Sequence, residues 1–192
     1  ALSTVGARST STLAVRPGIV YTANGQARFG LPAGRYQVIA GRGFEWSIDS
    51  TTLMISKGTM RDVNLSIKRE VPTQGLVSCD THVHTFTYSR HGDATVEERM
   101  ITTAGEGIEL PIATDHNLHI DYRPVLKRMN LEKFFTPVIG NEVTTSVGHF
   151  NVFPVKANAP LPDHRLATWP EIITSIRQAT GAEAIILNHG RD

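Results

Sequence analysis

The histidines constrain this chain more than any other feature. All eight lie at or beyond residue 82, and the first 81 residues contain none. Two belong to the run Asp80-Thr81-His82-Val83-His84. Thr114-Asp115-His116, Glu142, His149 and His189 follow downstream. Side chains two apart on a strand point to the same face, so a strand through His82 and His84 presents two imidazoles side by side. Asp115, His116, Glu142 and His189 each close an apolar segment, which puts them at strand ends, while His149 opens the segment after Glu142. A fold that gathers these ends builds a metal site in the second part of the chain. Imidazole and carboxylate ligands suit Zn, Mn or Fe without a thiolate, and point to hydrolysis by metal-activated water.

The first part has a different texture. After a Ser/Thr-rich start, short apolar segments recur over residues 13–21, 26–31, 35–40, 44–48, 52–56 and 61–67. Several alternate with period two: Tyr36 and Val38 share one face, as do Val63, Leu65 and Ile67, the half-buried strand pattern. Turn signals separate them, among them Pro17-Gly18, Pro32-Ala33-Gly34 and Lys57-Gly58. Asn24-Gly25 suits a type I′ hairpin, which needs positive φ at both positions. Closely spaced strands predict a small β-sandwich over residues 1–70. Pro72 and Gly75 mark a linker at residues 71–75.

From residue 76 onward strands and helices alternate. Strands are expected over residues 76–84, 108–114, 136–143, 149–155 and 184–188. A helix is expected over 95–104, opened by a Thr95/Glu98 capping box, with Val96, Met100, Ile101 and Ala104 as its apolar stripe. Residues 121–134 read as a second helix with Pro124 in its first turn. A Thr168/Glu171 capping box opens a third, with Ile172, Ile173, Ile176 and Ala179 on one face. The β-α-β-α order predicts a parallel sheet or barrel, so the fold class is α/β plus all-β.

Charge and composition name no macromolecular partner. The formal net charge is +1, which favours neither nucleic acid nor an acidic membrane surface. No run of ~18 apolar residues suggests a membrane span. The single cysteine, Cys79, excludes an internal disulfide and is expected to be a small buried strand residue. The chain begins at Ala1, not Met, so a processed product or a fragment is expected. The compartment is unknown, and an extracytoplasmic one is compatible with this beginning.

In a β/α barrel, functional side chains sit at the C-terminal strand ends. His82, His84, His116, Glu142, His149 and His189 are the metal-ligand candidates, and Glu142 can bridge two cations. Each residue also has a plain structural reading: an incidental His-x-His, a Thr-Asp-His turn, a surface Glu142, a core His149. Their joint placement at the ends of four successive expected strands favours the metal site. His91 and Asp93 are either ligands or parts of the turn Arg90-His91-Gly92-Asp93. His119 and His164 read as solvated loop residues, and Trp46 and Trp169 as packing residues. Arg191 either steadies an anionic substrate group or is a solvated end residue.

At these residues the chain resembles the PHP superfamily, named for polymerase and histidinol phosphatase. Cys79-Asp80-Thr81-His82-Val83-His84-Thr85 resembles its first motif, and Ile112-Ala113-Thr114-Asp115-His116-Asn117 its second. Ile139-Gly140-Asn141-Glu142-Val143 with Gly148-His149-Phe150-Asn151-Val152 resembles the third, and Ile186-Leu187-Asn188-His189 the fourth. The resemblance covers roughly residues 75–192. The stretch from His91-Gly92-Asp93 to Gly105-Glu106-Gly107-Ile108-Glu109-Leu110 is similar to the carbaryl-hydrolase-like branch, whose members often carry an N-terminal β-domain. Leu31-Pro32-Ala33-Gly34-Arg35-Tyr36 is similar to carboxypeptidase-regulatory or transthyretin-like sandwiches.

The resemblance implies a distorted (β/α)7 barrel with two or three divalent metal ions. His82 and His84 would serve one metal, Glu142 would bridge two, and His149 and His189 would serve the second. His116, with His91 or Asp93, would serve a third. Asp80 and Asp115 would orient these ligands through their free N–H groups. The family pattern closes with an Asp-x-His motif beyond the fourth strand, and this chain ends at Asp192 just after that strand. The expectation is therefore the N-terminal half of the barrel, in a fragment whose open edge a second copy would cover. The implied function is hydrolysis of a small-molecule ester, either a phosphoester or a carbamate or amide, with Glu142, Asp115 and Arg191 as catalytic candidates. The alternative is a non-catalytic binding or scaffolding protein with an incomplete metal site.

Overall fold

The computed structural model describes residues 9–190. Among them the chain is mixed α/β, with four small sheets, four helices and no closed barrel. No helix of these residues is long and apolar enough to cross a membrane.

The N-terminal part forms two hairpins. β1 (Leu13–Arg16) and β2 (Ile19–Thr22) pair antiparallel, with Val15 opposite Val20. Pro17 followed by Gly18 at φ 79° turns the chain between them, as a type II turn requires. β3 (Gly34–Ala40) and β4 (Asp49–Ile55) form the second hairpin. The strands expected over 26–31, 44–48 and 61–67 do not form, and of the middle one only an isolated bridge from Trp46 to Arg69 remains. Ser66 N–H donates to the Asp49 carboxylate and Lys68 N–H to the Ser47 hydroxyl, so side chains satisfy this backbone instead of a ladder. Asn24-Gly25 makes no type I′ hairpin. Only Gly25 has positive φ, and Asn24 Oδ1 accepts from Gln26 N–H in a local side-chain turn.

Past the linker, β5 (Cys79–Val83), β6 (Leu110–Ala113) and β7 (Val138–Ile139) form a parallel sheet. Between β5 and β6 lie a single-turn helix α1 (Phe86–Ser89), absent from the sequence reading, and α2 (Val96–Glu106). The Thr95/Glu98 capping box forms as expected, and Val96, Met100, Ile101 and Ala104 are buried. α3 (Arg123–Met129) is shorter than the expected 121–134, because Asn130 turns left-handed at φ 57° and ends it.

β8 (Asn141–Thr145), β9 (Gly148–Phe153) and β10 (Ala184–Asn188) make an antiparallel sheet, so the expected uniformly parallel sheet is only half right. The connection from Thr145 to Gly148 is too short for a crossover and forces the hairpin. Gly140 alone separates β7 from β8. A Cβ there would lie 2.7 Å from the Ile112 side chain and 3.0–3.1 Å from the Val152 and Ala113 carbonyl oxygens, so the two sheets can approach only at glycine. His116 bridges Glu142 in parallel register, which carries the ladder of β6 from β7 onto β8.

α4 (Trp169–Thr180) covers the second sheet, with Ile172 and Ile176 buried in one core with Val143, Phe150 and Val152. Its expected capping box is incomplete: the Thr168 hydroxyl bonds the Glu171 carboxylate, not a backbone N–H. Cys79, expected to be buried, is exposed, because β5 is an edge strand.

Candidate metal centre

Glu142 on β8 has no exposed surface, and five imidazoles surround its carboxylate. His82 Nε2 lies 3.3 Å from Oε1 and His84 Nε2 3.0 Å from Oε2. His116 Nδ1 is 2.9 Å from Oε2, His149 Nδ1 3.2 Å from Oε1, and His189 Nε2 4.0 Å from Oε1. The Asn188 amide donates to Oε1 at 3.1 Å. His82 and His84 reach the carboxylate because β5 alternates, and their ring centroids stand 4.8 Å apart. His149 arrives from the opposite direction: the β8–β9 hairpin sets it opposite Thr144. His189 follows β10 with a left-handed backbone at φ 48° and stacks on His82. His91 enters from the loop after α1, and its Nε2 meets His116 Nε2 at 2.5 Å.

Among the described residues, ligand atoms converge in three groups, each within 4.8 Å: His84, His91 and His116; His82, Glu142 and His189; and His116, Glu142 and His149. The residues fit a cation. His82 Nε2 and Glu142 Oε2 are buried without any hydrogen-bond partner, although imidazoles lie around them at hydrogen-bonding distance. Polar atoms left unpaired this deep inside a ring of imidazoles and a carboxylate call for a positive charge among them. The cluster could therefore bind a metal ion.

The electrostatics agree. Burial disfavours the charged imidazolium and lowers the pKa of His82 and of His116, outweighing the pull of Glu142 the other way. Neutral imidazoles are the form that ligates. Burial alone would raise Glu142. The close approach of His84, the Asn188 amide and the neighbouring His116 and His82 outweigh it and hold this carboxyl well below its usual range.

Asp115 does not touch the cluster. It is buried beneath it, where Oδ1 accepts from Thr85 N–H, the Thr85 hydroxyl and the Ser89 hydroxyl, and Oδ2 accepts from the Tyr122 hydroxyl at 2.6 Å. Burial, then the Asp115 charge, pushes the Tyr122 phenol far above its ordinary value. Asp93 also stays out of the groups. Arg16 of β1 holds its carboxylate at 2.7 Å and its carbonyl at 2.6 Å, and Arg99 approaches at 3.6 Å. The hydrogen bond from Arg16 is the main reason that the Asp93 pKa is lowered. Asp80 is exposed and accepts from His82 N–H. Arg191 lies outside the described residues.

His119, expected in solvent, is half-buried with Nδ1 3.3 Å from the Ala159 carbonyl, while His164 is exposed as expected. Sequence reasoning missed Ser89, Tyr122, Thr144 and Asn188. Only Asn188, beside His189 at a strand end, carried a signal that could have found it. The others are single hydroxyls that tertiary folding brings in. No protein-family model, no curated protein and no solved structure matches this chain.

Proposed function

We propose that this chain carries the hydrolytic metal centre of a PHP-type enzyme, built on the first half of a (β/α)7 barrel that follows a small β-sandwich. One observation carries the reading: a fully buried Glu142 carboxylate ringed by five imidazoles, in which His82 Nε2 and Glu142 Oε2 are buried without a hydrogen bond. His82, Glu142 and His189 would hold one cation, and His84, His91 and His116 another, with His149 supporting Glu142. Bound divalent Zn, Mn or Fe would polarise the scissile group of an ester and activate water near neutral pH.

The residues themselves supply the rest. Burial keeps His82 and His116 neutral and available as donors to a metal. Asn188 fixes the orientation of Glu142. A cavity of about 480 Å³, lined by His82, His84, His91, Asp93 and Arg99, opens beside the cluster and is large enough for a small ester of phosphate, carbamate or amide type. A second copy of the chain would cover the outer edge of β10, where Ile186 and Leu187 stand about 40% exposed.

Metal content by mass spectrometry, beside a His82→Ala/His84→Ala double variant, tests the reading. One or more equivalents in the wild type, lost in the variant, is the expected result. A screen of phosphoesters and carbamate esters follows, and its hydrolysis rates should vanish with the metal. A wild-type protein that takes up no Zn, Mn or Fe would overturn the proposal.

A further inference from the structure

We infer that two hydroxyls, Ser89 and Thr144, are positioning residues that fix which ring nitrogen of His84 and His116 faces the metal centre. The inference rests on the metal reading above.

Each hydroxyl has one proton, and in each case that proton is committed elsewhere. Ser89 Oγ lies 2.6 Å from Asp115 Oδ1. The ionised carboxylate can only accept, and Thr85 N–H, the Thr85 hydroxyl and the Tyr122 hydroxyl already hold it in place as an acceptor. The Ser89 proton therefore points to Asp115. Towards its other neighbours Ser89 Oγ has only lone pairs. It accepts from His116 N–H at 3.3 Å, and at 3.2 Å it faces His84 Nδ1. That contact is a hydrogen bond only if His84 Nδ1 carries the hydrogen. The lone pair of His84 is then on Nε2, which is the atom 3.0 Å from Glu142 Oε2.

Thr144 repeats the device from another element. Its Oγ1 lies 3.2 Å from the Glu142 carbonyl oxygen, which accepts its proton, and 2.6 Å from His116 Nδ1. With the Thr144 oxygen and Glu142 Oε2, 2.9 Å away, both facing it, His116 Nδ1 is again the nitrogen that carries the hydrogen. This decides an ambiguity in the cluster, where His116 stands in two ligand groups, one with His84 and His91 and one with Glu142 and His149. With Nδ1 occupied by Thr144, the lone pair is on Nε2, the atom that meets His91. His116 belongs to the His84–His91 group. At His84 the Ser89 hydroxyl replaces the direct carboxylate-to-histidine contact by which metal-bound imidazoles are commonly oriented, and at His116 the Thr144 hydroxyl acts beside the Glu142 carboxylate, whose Oε2 lies 2.9 Å from the same Nδ1. Asp115 acts on His84 through Ser89, one bond removed.

The test reads tautomers and metal affinity in the same full-length chain. Long-range ¹H–¹⁵N spectra of the metal-free protein at mildly alkaline pH should show His84 and His116 as Nδ1–H. Ser89→Ala should change the pattern of His84 and leave His116 as it was; Thr144→Val should do the reverse. Ser89→Thr and Thr144→Ser should restore the wild-type patterns. Each hydroxyl deletion should weaken Zn binding about 10–100-fold, the range expected when such an orienting partner is removed. The circular dichroism spectrum and melting curve of each variant report whether it has kept its fold.

Nε2–H tautomers in the wild type, or tautomers that the deletions leave unchanged in a folded protein, would overturn the inference. A wild type with the stated tautomers that takes up no metal would overturn the hydrolase reading instead, and the two failures are thereby told apart.

Discussion

The two N-terminal hairpins are made from similar sequence and end in different situations. β1–β2 packs on α2. Ala14 of β1 is fully buried in the same core as Met100, Ile101 and Leu126, with Tyr21 and Ala23 packed against it. Arg16, at the end of β1, grips the loop that carries His91 through Asp93. β3–β4 alternates just as regularly, yet Tyr36 is its one buried residue, and Ile39 and Met54 remain 59% exposed. Alternation makes a strand. What the strand covers depends on which neighbour the chain brings to it. The first hairpin shares its core with the half that carries the histidine cluster, and the second touches that half through its connecting loop, where Gly43 lies against the Glu106 carbonyl.

The largest effect expected is at the centre itself. Glu142→Ala should remove the cation assigned to His82, Glu142 and His189 and so lower the metal content, as read by mass spectrometry after dialysis, because it takes away the carboxylate on which two of the three ligand groups depend. Retention of wild-type metal content would show that the imidazoles suffice.

Next comes Met100→Ala in α2. Its side chain is fully buried in the core shared with Ala14, and its loss should cost about 2–5 kcal/mol in urea unfolding. The transition should also lower protection of β1–β2 amides while sparing β3–β4. Equal loss in both hairpins would erase the distinction between them.

Acid should act on the half that carries the histidine cluster. His82 and His116 have pKa values lowered from 6.5 in the folded protein. Their contribution is therefore complete above about pH 6.5 and falls as the pH drops below it, since the unfolded chain takes up protons that the folded one refuses. Glu142, lowered from 4.5, contributes above that value and loses its contribution as the pH falls below it. Melting temperatures should decline in two stages, and His82→Gln should flatten the upper one. A melting temperature that stays level through the histidine range would contradict this.

Arg16→Ala should release the Asp93 loop and lower the occupancy of the His84–His91–His116 group with little change in melting temperature, since the pair is partly exposed. Arg35→Ala on β3 is the matched control and should leave metal binding as it was. The smallest effect is expected at Met54→Ala on β4, within about 0.5 kcal/mol in the same unfolding assay. A loss of several times that would show that β3–β4 is covered in solution.

The sequence by itself determined the local features. Period-two spacing put His82 and His84 on one face. The Thr95/Glu98 pair started α2 where it begins, and its stripe named four residues that are buried. These follow from rules that act over a few residues. The chemistry of the ligand set was legible for the same reason, because residue types are written in the chain. The tertiary structure decided everything that needs two distant segments. It split the sheet at Gly140, where only a missing Cβ lets Ile112 and the Val152 carbonyl come close. It turned β9 back so that His149 faces Glu142. It buried Asp115 under the site by bringing Thr85, Ser89 and Tyr122 onto its carboxylate. It brought Ser89 and Thr144 to the two imidazoles. A hydroxyl carries no pattern along the sequence, and its meaning comes from the partner that the fold places within 3 Å or so of it.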